Sequence, residues 1–323
     1  MHTMTFASIP VRGSHRSRRE EGDTVREQVS EHKPVMTAEV LEALSLAKGD
    51  VVVDATFGAG GHSAAIKKAL PAGRQGQKVK LITIDADPAS KADIVGNFAD
   101  IKELVQKNLP AGRQVNKALF DLGWNRGQLA SGRGFSFMHD EPLNMSYGGQ
   151  PRSGFTAAEV LNTWSEKAIA DALYGYGEER FARRIAAAIV NRRALQPFAT
   201  TFELVELVKD SVPAAYRRGS AGRRIHPATK TFQALRIAVN DELGALEQGI
   251  RGAWSILAPG GRLVVITFHS IEDRIVKRLF REFSAHGGSA LGRKKPLAPT
   301  REEIIKNPAS RSAKLRAIEK ARD

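Results

Sequence analysis

The chain has 323 residues, which suits one large domain or two ordinary ones, and its 42% of hydrophobic residues suffice for a sizeable core. The 49 basic residues outnumber the 35 acidic ones, and the resulting formal net charge of +14 favours a polyanionic partner such as nucleic acid. Cysteine is absent, which excludes disulfides, thiolate zinc sites and a cysteine nucleophile.

The sequence also indicates where the protein acts. No apolar run approaches the roughly 20 residues that span a bilayer. Residues 1–31 are polar and charged, without the apolar centre of a secretory signal, and they predict a disordered basic arm. An arm that touches RNA is the alternative for this segment. We therefore expect a cytoplasmic protein that has no membrane partner.

Short apolar runs alternate with helical or turn-like segments in the first part of the chain. Helical spacing is found at residues 34–46 and 63–70, and apolar runs at 51–54, 79–84, 94–95 and 118–120. Every run ends in a polar or glycine-rich loop. This alternation predicts an α/β fold with a parallel, doubly wound sheet, whose ligands bind beyond the carboxyl ends of the strands.

The pattern then becomes purely helical. Helices are predicted at residues 156–162, 166–174, 178–194 and 202–212, the last with a threonine cap at Thr200 or Thr201 ahead of Glu203. A long helix at 228–257, broken near Gly244, Gly249 and Gly252, leads to a fifth strand at 263–266. We predict an inserted helical substrate-recognition domain at 146–224, within a discontinuous α/β domain formed by 32–145 and 225–323.

A glycine-rich loop follows the first strand, at Gly58, Gly60 and Gly61. Glycines allow a sharp turn and a close backbone approach, and the helix behind the loop offers free N–H groups to an anion. The loop alone does not distinguish a dinucleotide from other adenosine ligands, and a structural turn is the alternative. Asp85 ends the second strand, where an acid accepts hydrogen bonds from ribose hydroxyls. Together these features indicate an adenosine-containing cofactor.

Two further strand ends carry candidate chemistry. Asp121 ends the fourth strand, where a carboxylate is able to accept a hydrogen bond or a proton from an attacking amine, although a turn-forming aspartate is the alternative. His269 follows the fifth strand and could contact substrate. Ser270 and Asp273 are predicted to start the next helix as a near-capping box. His269 has no evident metal-ligand companion, so we predict no metal.

A basic cluster follows the predicted insertion. A solvated face is the usual explanation for such a run, but beside a cofactor site in a basic chain we favour binding to RNA phosphates. The predicted substrate-binding residues are Arg223, Arg224, His226, Lys230 and Arg236.

These motifs, in this order, closely resemble the bacterial MraW (RsmH) family. The matching strings are HKPV at 32–35, DATFGAGGHS at 54–63, RGFSF at 133–137, YGEERF at 176–181, PATKTFQALRI at 227–237, VNDEL at 239–243, FHSIEDRIVK at 268–277 and NPASRSAKLR at 307–316. A glycine loop is generic, but the long strings are highly specific, and the likeness extends from about residue 32 to near the C-terminus.

The resemblance implies a Rossmann-like, S-adenosylmethionine (SAM)-dependent methyltransferase with a helical insertion. Its implied substrate is the N4 amine of a decoding-centre cytidine in the 16S rRNA of the small ribosomal subunit. The family's cofactor positions correspond to Gly60, Gly61, His62, Asp85, Phe98, Asp121 and Gln128. Asp121 and His269 are the candidates to orient the amine or to take its proton.

The chain departs from the family pattern in three places. Residues 124–127 read WNRG where the family usually has VSSP, and Asn144 and Ser146 replace an aspartate and an arginine. The segment between Pro88 and Ile94 is also too short for the usual helix. Two alternatives remain: a DNA amino-methyltransferase, which typically carries a Pro-Pro-aromatic motif absent after Asp121, and a non-catalytic RNA-binding or assembly factor on the same fold.

Overall fold

The strands of the protein form one mixed sheet in a computed structural model that describes residues 33–69, 80–110, 112–123, 129, 131–148, 151–218, 226–291 and 295–322. Within these residues the strands are β1 Val51–Asp54, β2 Lys80–Asp85, β3 Ile94–Val95, β4 Val115–Asp121, β5 Leu257–Thr267, β6 Gly288–Leu291 and β7 Lys314–Lys320. Their order across the sheet is β3-β2-β1-β4-β5-β7-β6. Strands β1 to β5 pair in parallel, while β7 runs antiparallel to both β5 and β6. The predicted parallel, doubly wound sheet is therefore confirmed.

Helices cover both faces of the sheet. Further helices, which lie between β4 and β5 in the sequence, form a helical layer of their own. The described α-helices are α1 Thr37–Leu44, α2 Gly61–Ala69, α3 Ile101–Asn108, α4 Ala157–Thr163, α5 Glu166–Gly177, α6 Ala182–Arg193, α7 Thr201–Ser211, α8 Ala214–Arg218, α9 Thr229–Asn240, α10 Glu242–Ile256, α11 Ser270–Ala285 and α12 Arg301–Lys306. Short 3-10 turns lie at Phe98–Asp100 and Pro308–Ser312. No helix in these ranges combines the length and the apolarity that crossing a membrane requires.

Alternate residues of the strands pack into two hydrophobic cores, one on each face of the sheet. Val52 and Leu119 pack with α1 and α2, whereas Val53 and Ala118 pack on the other face with α3, α10 and α11. Because helices bury both faces, the central strands are mostly apolar, as is typical of parallel strands. The acids of β1, β2 and β4 lie at the carboxyl ends of these strands.

A third core lies among the helices that follow β4. Its buried residues come from α4, α5, α6, α7 and α9, and Phe135, Leu143 and Met145 extend it back toward β4. The cluster thus reaches beyond both ends of residues 146–224. The division of the chain into an inserted domain, a discontinuous domain and an N-terminal arm stays a prediction, and residues 1–31 lie outside the described residues.

Several local predictions are confirmed. Thr200 caps α7 in a capping box with Glu203, because each side chain reaches the other residue's backbone N–H. No helix lies between Pro88 and Ile94, as the short spacing indicated. The fifth strand is present but longer than predicted, since β5 begins directly after α10.

Two helix boundaries differ from the predictions. The predicted helix at 228–257 breaks at Asp241, which adopts a left-handed φ of 47°, and not at its glycines. Gly249 instead permits close packing, because a Cβ there would lie 2.8 Å from the ring of Phe98. The helix predicted from residue 178 begins at Ala182, because Glu178 adopts a left-handed φ of 50° and ends α5.

Helices α5 and α9 approach each other closely at Gly177, which has no side chain. A Cβ at Gly177 would lie 2.5 Å from the carbonyl oxygen of Lys230, whereas a Cβ at Gly175 would meet nothing within 4 Å. The two glycines occupy the same helix, so they form a matched pair.

We expect Gly177→Ala to lower the free energy of unfolding by about 1–3 kcal/mol, because backbone atoms must move apart. Gly175→Ala should leave it unchanged or raise it by about 0.5–1 kcal/mol, because alanine is the better helix former. Urea unfolding of both variants checks this. Equal stability of the two variants would contradict the close approach of α5 to α9.

Candidate functional site

Three aspartates end three adjacent strands at the carboxyl edge of the sheet. Asp54 ends β1, Asp85 ends β2 on one side of it and Asp121 ends β4 on the other. Beyond them lies a cavity whose lining residues are Ala55, Thr56, Gly58, Asp85, Ala86, Asn97, Phe98, Asp121, Leu122, Gly123, Tyr147, Asn240, Glu242, Ala245, Leu246 and Glu272. The predicted ligand position at the strand ends therefore coincides with a cavity.

The glycine-rich loop is shaped by its neighbours in space. Gly60 has a φ of +79°, and a Cβ there would lie 2.8 Å from the ring of Phe57. Gly61 begins α2, and a Cβ there would lie 3.0 Å from Pro34. Both glycines thus allow a sharp turn packed against other chain segments. They are not lining residues of the cavity, unlike Gly58 in the same loop.

Asp85 ties this loop to the end of β2. Its Oδ2 accepts the N–H of Gly58 at 2.7 Å, and its Oδ1 accepts the N–H of Asp87 at 2.8 Å. Burial raises the pKa of Asp85, and the two N–H donors offset only part of that effect. Each oxygen keeps a further lone pair, so Asp85 remains able to accept a hydroxyl from a ligand in the cavity.

Asp54 is a structural acid behind the cavity. Its Oδ2 accepts the Ser63 hydroxyl at 2.6 Å, and its Oδ1 accepts the N–H of Thr56 at 3.2 Å. Burial raises the pKa of Asp54 against the lowering effect of these donors and of His62. The side chain thereby links the end of β1 to the first turn of α2.

Asp121 is held from two directions. Its backbone N–H donates to Oγ1 of Thr56 at 2.7 Å, and its Oδ2 lies 3.3 Å from Nδ1 of His62. Oδ1 is buried and has no hydrogen-bond partner. Asp121 also lines the cavity, and a carboxylate oxygen that lacks a partner requires a hydrogen-bond donor.

A buried ion pair forms another part of the cavity wall. Nε and NH2 of Arg236 donate to the two carboxylate oxygens of Glu242 at 2.8 and 3.0 Å, and the Tyr147 hydroxyl donates to Glu242 Oε1 at 2.9 Å. Burial raises the pKa of Tyr147 well above its ordinary value, and the adjacent Glu242 adds to this effect. The guanidinium of Arg236 is thus largely buried in a bidentate pair, and its predicted contact with RNA phosphates stays a prediction.

His269 begins α11. Its Nδ1 accepts the N–H of Glu272 at 3.4 Å, while Glu272 Oε2 accepts the N–H groups of Phe268 and His269. The capping box therefore consists of His269 and Glu272, and the predicted box of Ser270 and Asp273 is wrong. Asp273 instead pairs with Arg316 at 2.7 Å and with Lys314 at 3.5 Å.

The other predicted site residues do not all lie at the cavity. Phe98 lines the cavity, with its ring edge against Phe120 at a centroid distance of 5.6 Å. His226 stacks on Phe137 at 4.5 Å, and Nζ of Lys230 donates to the carbonyl of Glu178 at 2.7 Å. Gln128, Arg223 and Arg224 lie outside the described residues.

The departures at Asn144 and Ser146 occupy a turn beside the cavity. Asn144 Oδ1 accepts the N–H of Ser146 at 2.9 Å, and Nδ2 of Asn240 donates to the carbonyl of Met145 between them at 2.7 Å. Neutral hydrogen bonds thus hold this turn. Residues 124–127, the other altered loop, lie outside the described part of the chain.

Within the described ranges, one group of three side chains has its potential ligand atoms close enough together to hold a metal ion. Glu242, His269 and Glu272 each offer a ligand atom, and these atoms lie within 4.8 Å of one another. Glu242 is already neutralised by Arg236, and Glu272 caps α11. The cluster therefore carries no metal proposal, and the absence of a metal stays a prediction.

Tyr147, Asn240, Glu242 and Glu272 are among the cavity residues that escaped the sequence reasoning. The last three lie in helical strings that read as amphipathic patterns, in which polar residues usually face solvent. A signal was present, because Glu242 lies near a helix break and Glu272 lies three residues after a strand-end histidine. Neither feature gives the distance to the cavity.

The sheet is parallel from β3 to β5, and acids at its strand ends line a cavity. This arrangement is that of an α/β protein that binds a nucleotide cofactor. Residues 29–321 match the model of the MraW methylase family, and the chain belongs to this family.

The chain is similar to proteins named "Ribosomal RNA small subunit methyltransferase H". The relative from Hyphomonas neptunium is 44% identical over 310 residues, covering 88% of this chain and 87% of that one. The relative from Neorickettsia sennetsu is 45% identical over 299 residues, covering 90% and 96%. That from Heliobacterium modesticaldum is 44% identical over 324 residues, covering 91% and 100%.

The pairing of Arg236 with Glu242 has a measurable consequence. Arg236→Met leaves a buried carboxylate without its cation, so we expect the free energy of unfolding to fall by about 3–5 kcal/mol. The double variant Arg236→Met/Glu242→Leu should be more stable than Arg236→Met alone. Chemical unfolding measures all variants, with Lys277→Met on the exposed face of α11 as the control. A loss for Arg236→Met no larger than the control's, within about 0.5 kcal/mol, would show that Arg236 is not a buried partner.

Proposed function

We propose that this chain transfers a methyl group from SAM to the exocyclic N4 amine of a cytidine in the 16S rRNA of the small ribosomal subunit. The names of the relatives support an RNA of the small ribosomal subunit as the substrate. These relatives are 44–45% identical to this chain over most of both chains. The observation that carries the chemistry is that Asp121 lines the cavity and that its buried Oδ1 has no hydrogen-bond partner. An amine that attacks an electrophile needs an acceptor of this kind for its N–H.

The residues of the cavity fit SAM. Asp85 offers acceptor lone pairs for ribose hydroxyls, and Phe98 with Leu246 offers an apolar surface for adenine. The glycine turn before α2 suits the methionine carboxylate, because the first N–H groups of a helix attract an anion. We propose that Gly60, Gly61, His62, Asp85, Phe98 and Asp121 hold the cofactor, together with Gln128.

SAM, when bound, supplies a methyl group on a positively charged sulfur, which a neutral amine is able to attack. Asp121 Oδ1 accepts an N–H of the cytosine amine and so orients its lone pair. As the nitrogen gains positive charge, the same oxygen is placed to receive the proton. The base must leave any stack to reach the cavity, which costs a few kcal/mol and favours an accessible RNA base.

His269 is better placed to donate than to accept. Because its Nδ1 accepts the N–H of Glu272, the ring hydrogen belongs on Nε2. Nε2 is buried and makes no hydrogen bond, although Glu272 Oε1 lies 3.0 Å away. We assign His269 the role of orienting the base through an N–H donor and leave proton acceptance to Asp121.

RNA phosphates are proposed to contact His226 and Lys230, with Arg223 and Arg224 outside the described residues. Arg236 is proposed for the same group, and in the structure it pairs with Glu242. The site of action proposed for a ribosomal substrate is the cytoplasm.

The first experiment incubates the protein with labelled SAM and small ribosomal subunits that lack the modification, and then identifies the labelled nucleoside. We expect N4-methylcytidine or its 2′-O-methylated form. Label in DNA supplied as a competitor would support the DNA amino-methyltransferase. SAM binding without any transfer would point to a non-catalytic RNA-binding factor.

Asp121→Asn tests the acceptor. His62 would attract the amide oxygen, so the amide nitrogen would face the cavity and repel the substrate's N–H. We expect kcat to fall by about two to four orders of magnitude, with thermal unfolding little changed. Wild-type turnover by this variant would remove Asp121 from the chemistry.

A further inference from the structure

His62 lies behind the cavity, in the first turn of α2. The side chain is buried, and both ring nitrogens face oxygen atoms. Nε2 lies 2.9 Å from the carbonyl oxygen of Val35, and Nδ1 lies 3.3 Å from Oδ2 of Asp121. The side chain therefore connects the segment before α1 to the end of β4.

The two partners determine the protonation of the ring. A carbonyl oxygen only accepts, so Nε2 must carry a hydrogen, and a carboxylate oxygen favours a second hydrogen on Nδ1. Burial lowers the pKa of His62, but the hydrogen bond and charge of Asp121, the charge of Asp54 and the Val35 carbonyl outweigh burial and raise it. Both the geometry and the direction of the pKa shift therefore favour the imidazolium, which donates in both directions.

No other described side chain performs this task for Asp121. Asp54 lies nearby, but Ser63 and the backbone of Thr56 bind its oxygens. Thr56 Oγ1 holds only the backbone N–H of Asp121. The rotation of the Asp121 carboxylate, and with it the direction of the unpartnered Oδ1, thus depends on His62.

We propose that His62 is a positioning residue, whose Nδ1–H holds Asp121 Oδ2 and thereby directs Oδ1 toward the methyl-accepting amine. The proposal rests on the proposed function, because it needs an amine in the cavity. It adds a side-chain role at a position that the family resemblance places at the cofactor.

The first test needs neither cofactor nor RNA. In protein with isotope-labelled histidine rings, the His62 NMR signals should stay those of an imidazolium as the pH rises past 6.5, the ordinary value. Since folding raises the pKa, the charged ring stabilises the protein below the unfolded pKa, and this stabilisation is lost as the pH rises through the folded pKa. Asp121→Asn should shift the titration to lower pH. Titration at or below 6.5 that Asp121→Asn leaves unchanged would overturn the proposal.

Two substitutions separate the two hydrogen bonds of the ring. In His62→Asn the amide nitrogen replaces Nδ1 and keeps the donor to Asp121, whereas in His62→Gln it replaces Nε2 and keeps the donor to Val35. We expect His62→Gln to lose on the order of 10²-fold in kcat relative to His62→Asn, because the acceptor is no longer aligned. The KM for SAM should be similar in the two variants.

Thermal unfolding of both variants establishes that they are folded. If His62→Gln turns over as fast as His62→Asn or faster, the ring acts through Val35 alone and the proposal fails. If the wild-type protein transfers no methyl group to RNA, the proposed function fails. The NMR titration then still decides whether His62 holds Asp121.

Discussion

Carboxylates at the ends of three adjacent parallel strands, one of them buried and two half-buried, are the constraint on which the site depends. A carboxylate taken out of water must be hydrogen-bonded or paired, and the surrounding loops supply those partners. Asp85 binds the N–H of Gly58, Asp54 binds Ser63 in α2, and Asp121 pairs with His62. The conformation of the glycine-rich loop thus follows from the acids as much as from the glycines. The same bonds leave Asp121 with one free oxygen at the cavity.

A second buried charge joins the helical layer to the cavity. Tyr147 precedes α4, Arg236 lies in α9 and Glu242 begins α10, so their hydrogen bonds connect three chain segments. A carboxylate inside the protein tolerates little rearrangement, because separation from Arg236 would leave it unpaired. Glu178, the C-cap of α5, accepts the Ser270 hydroxyl at 2.8 Å and pairs with Arg274 at 2.9 Å. The end of α5 is therefore attached directly to the start of α11.

The predictions that held were those based on local patterns. An apolar run that ends in an acid or a glycine identified the strand ends, and Asp85 and Asp121 line the cavity as expected. The capping box of Thr200 and Glu203 was equally local, since both residues belong to one turn. These features arise from interactions over a few residues, which the order of residues displays.

The predictions that failed concerned residues whose environment comes from distant segments. Asp273 looked like part of a capping box with Ser270, yet it pairs with Arg316 from β7. The glycines of α10 looked like helix breakers, yet Gly249 serves the close approach of Phe98. In each case the local pattern was compatible with two environments, and packing selected between them.

By itself, the sequence determined the parallel sheet, the acids at its strand ends, the glycine turn and the family resemblance, because strand periodicity and turn chemistry are short-range properties. Only the tertiary structure decided which polar groups share a buried space. It placed the imidazole of His62 against Asp121, paired Arg236 with Glu242 and brought Tyr147 and Glu272 to the cavity. The physical reason is that burial and charge pairing depend on distances between segments far apart in the chain, and sequence order does not contain those distances.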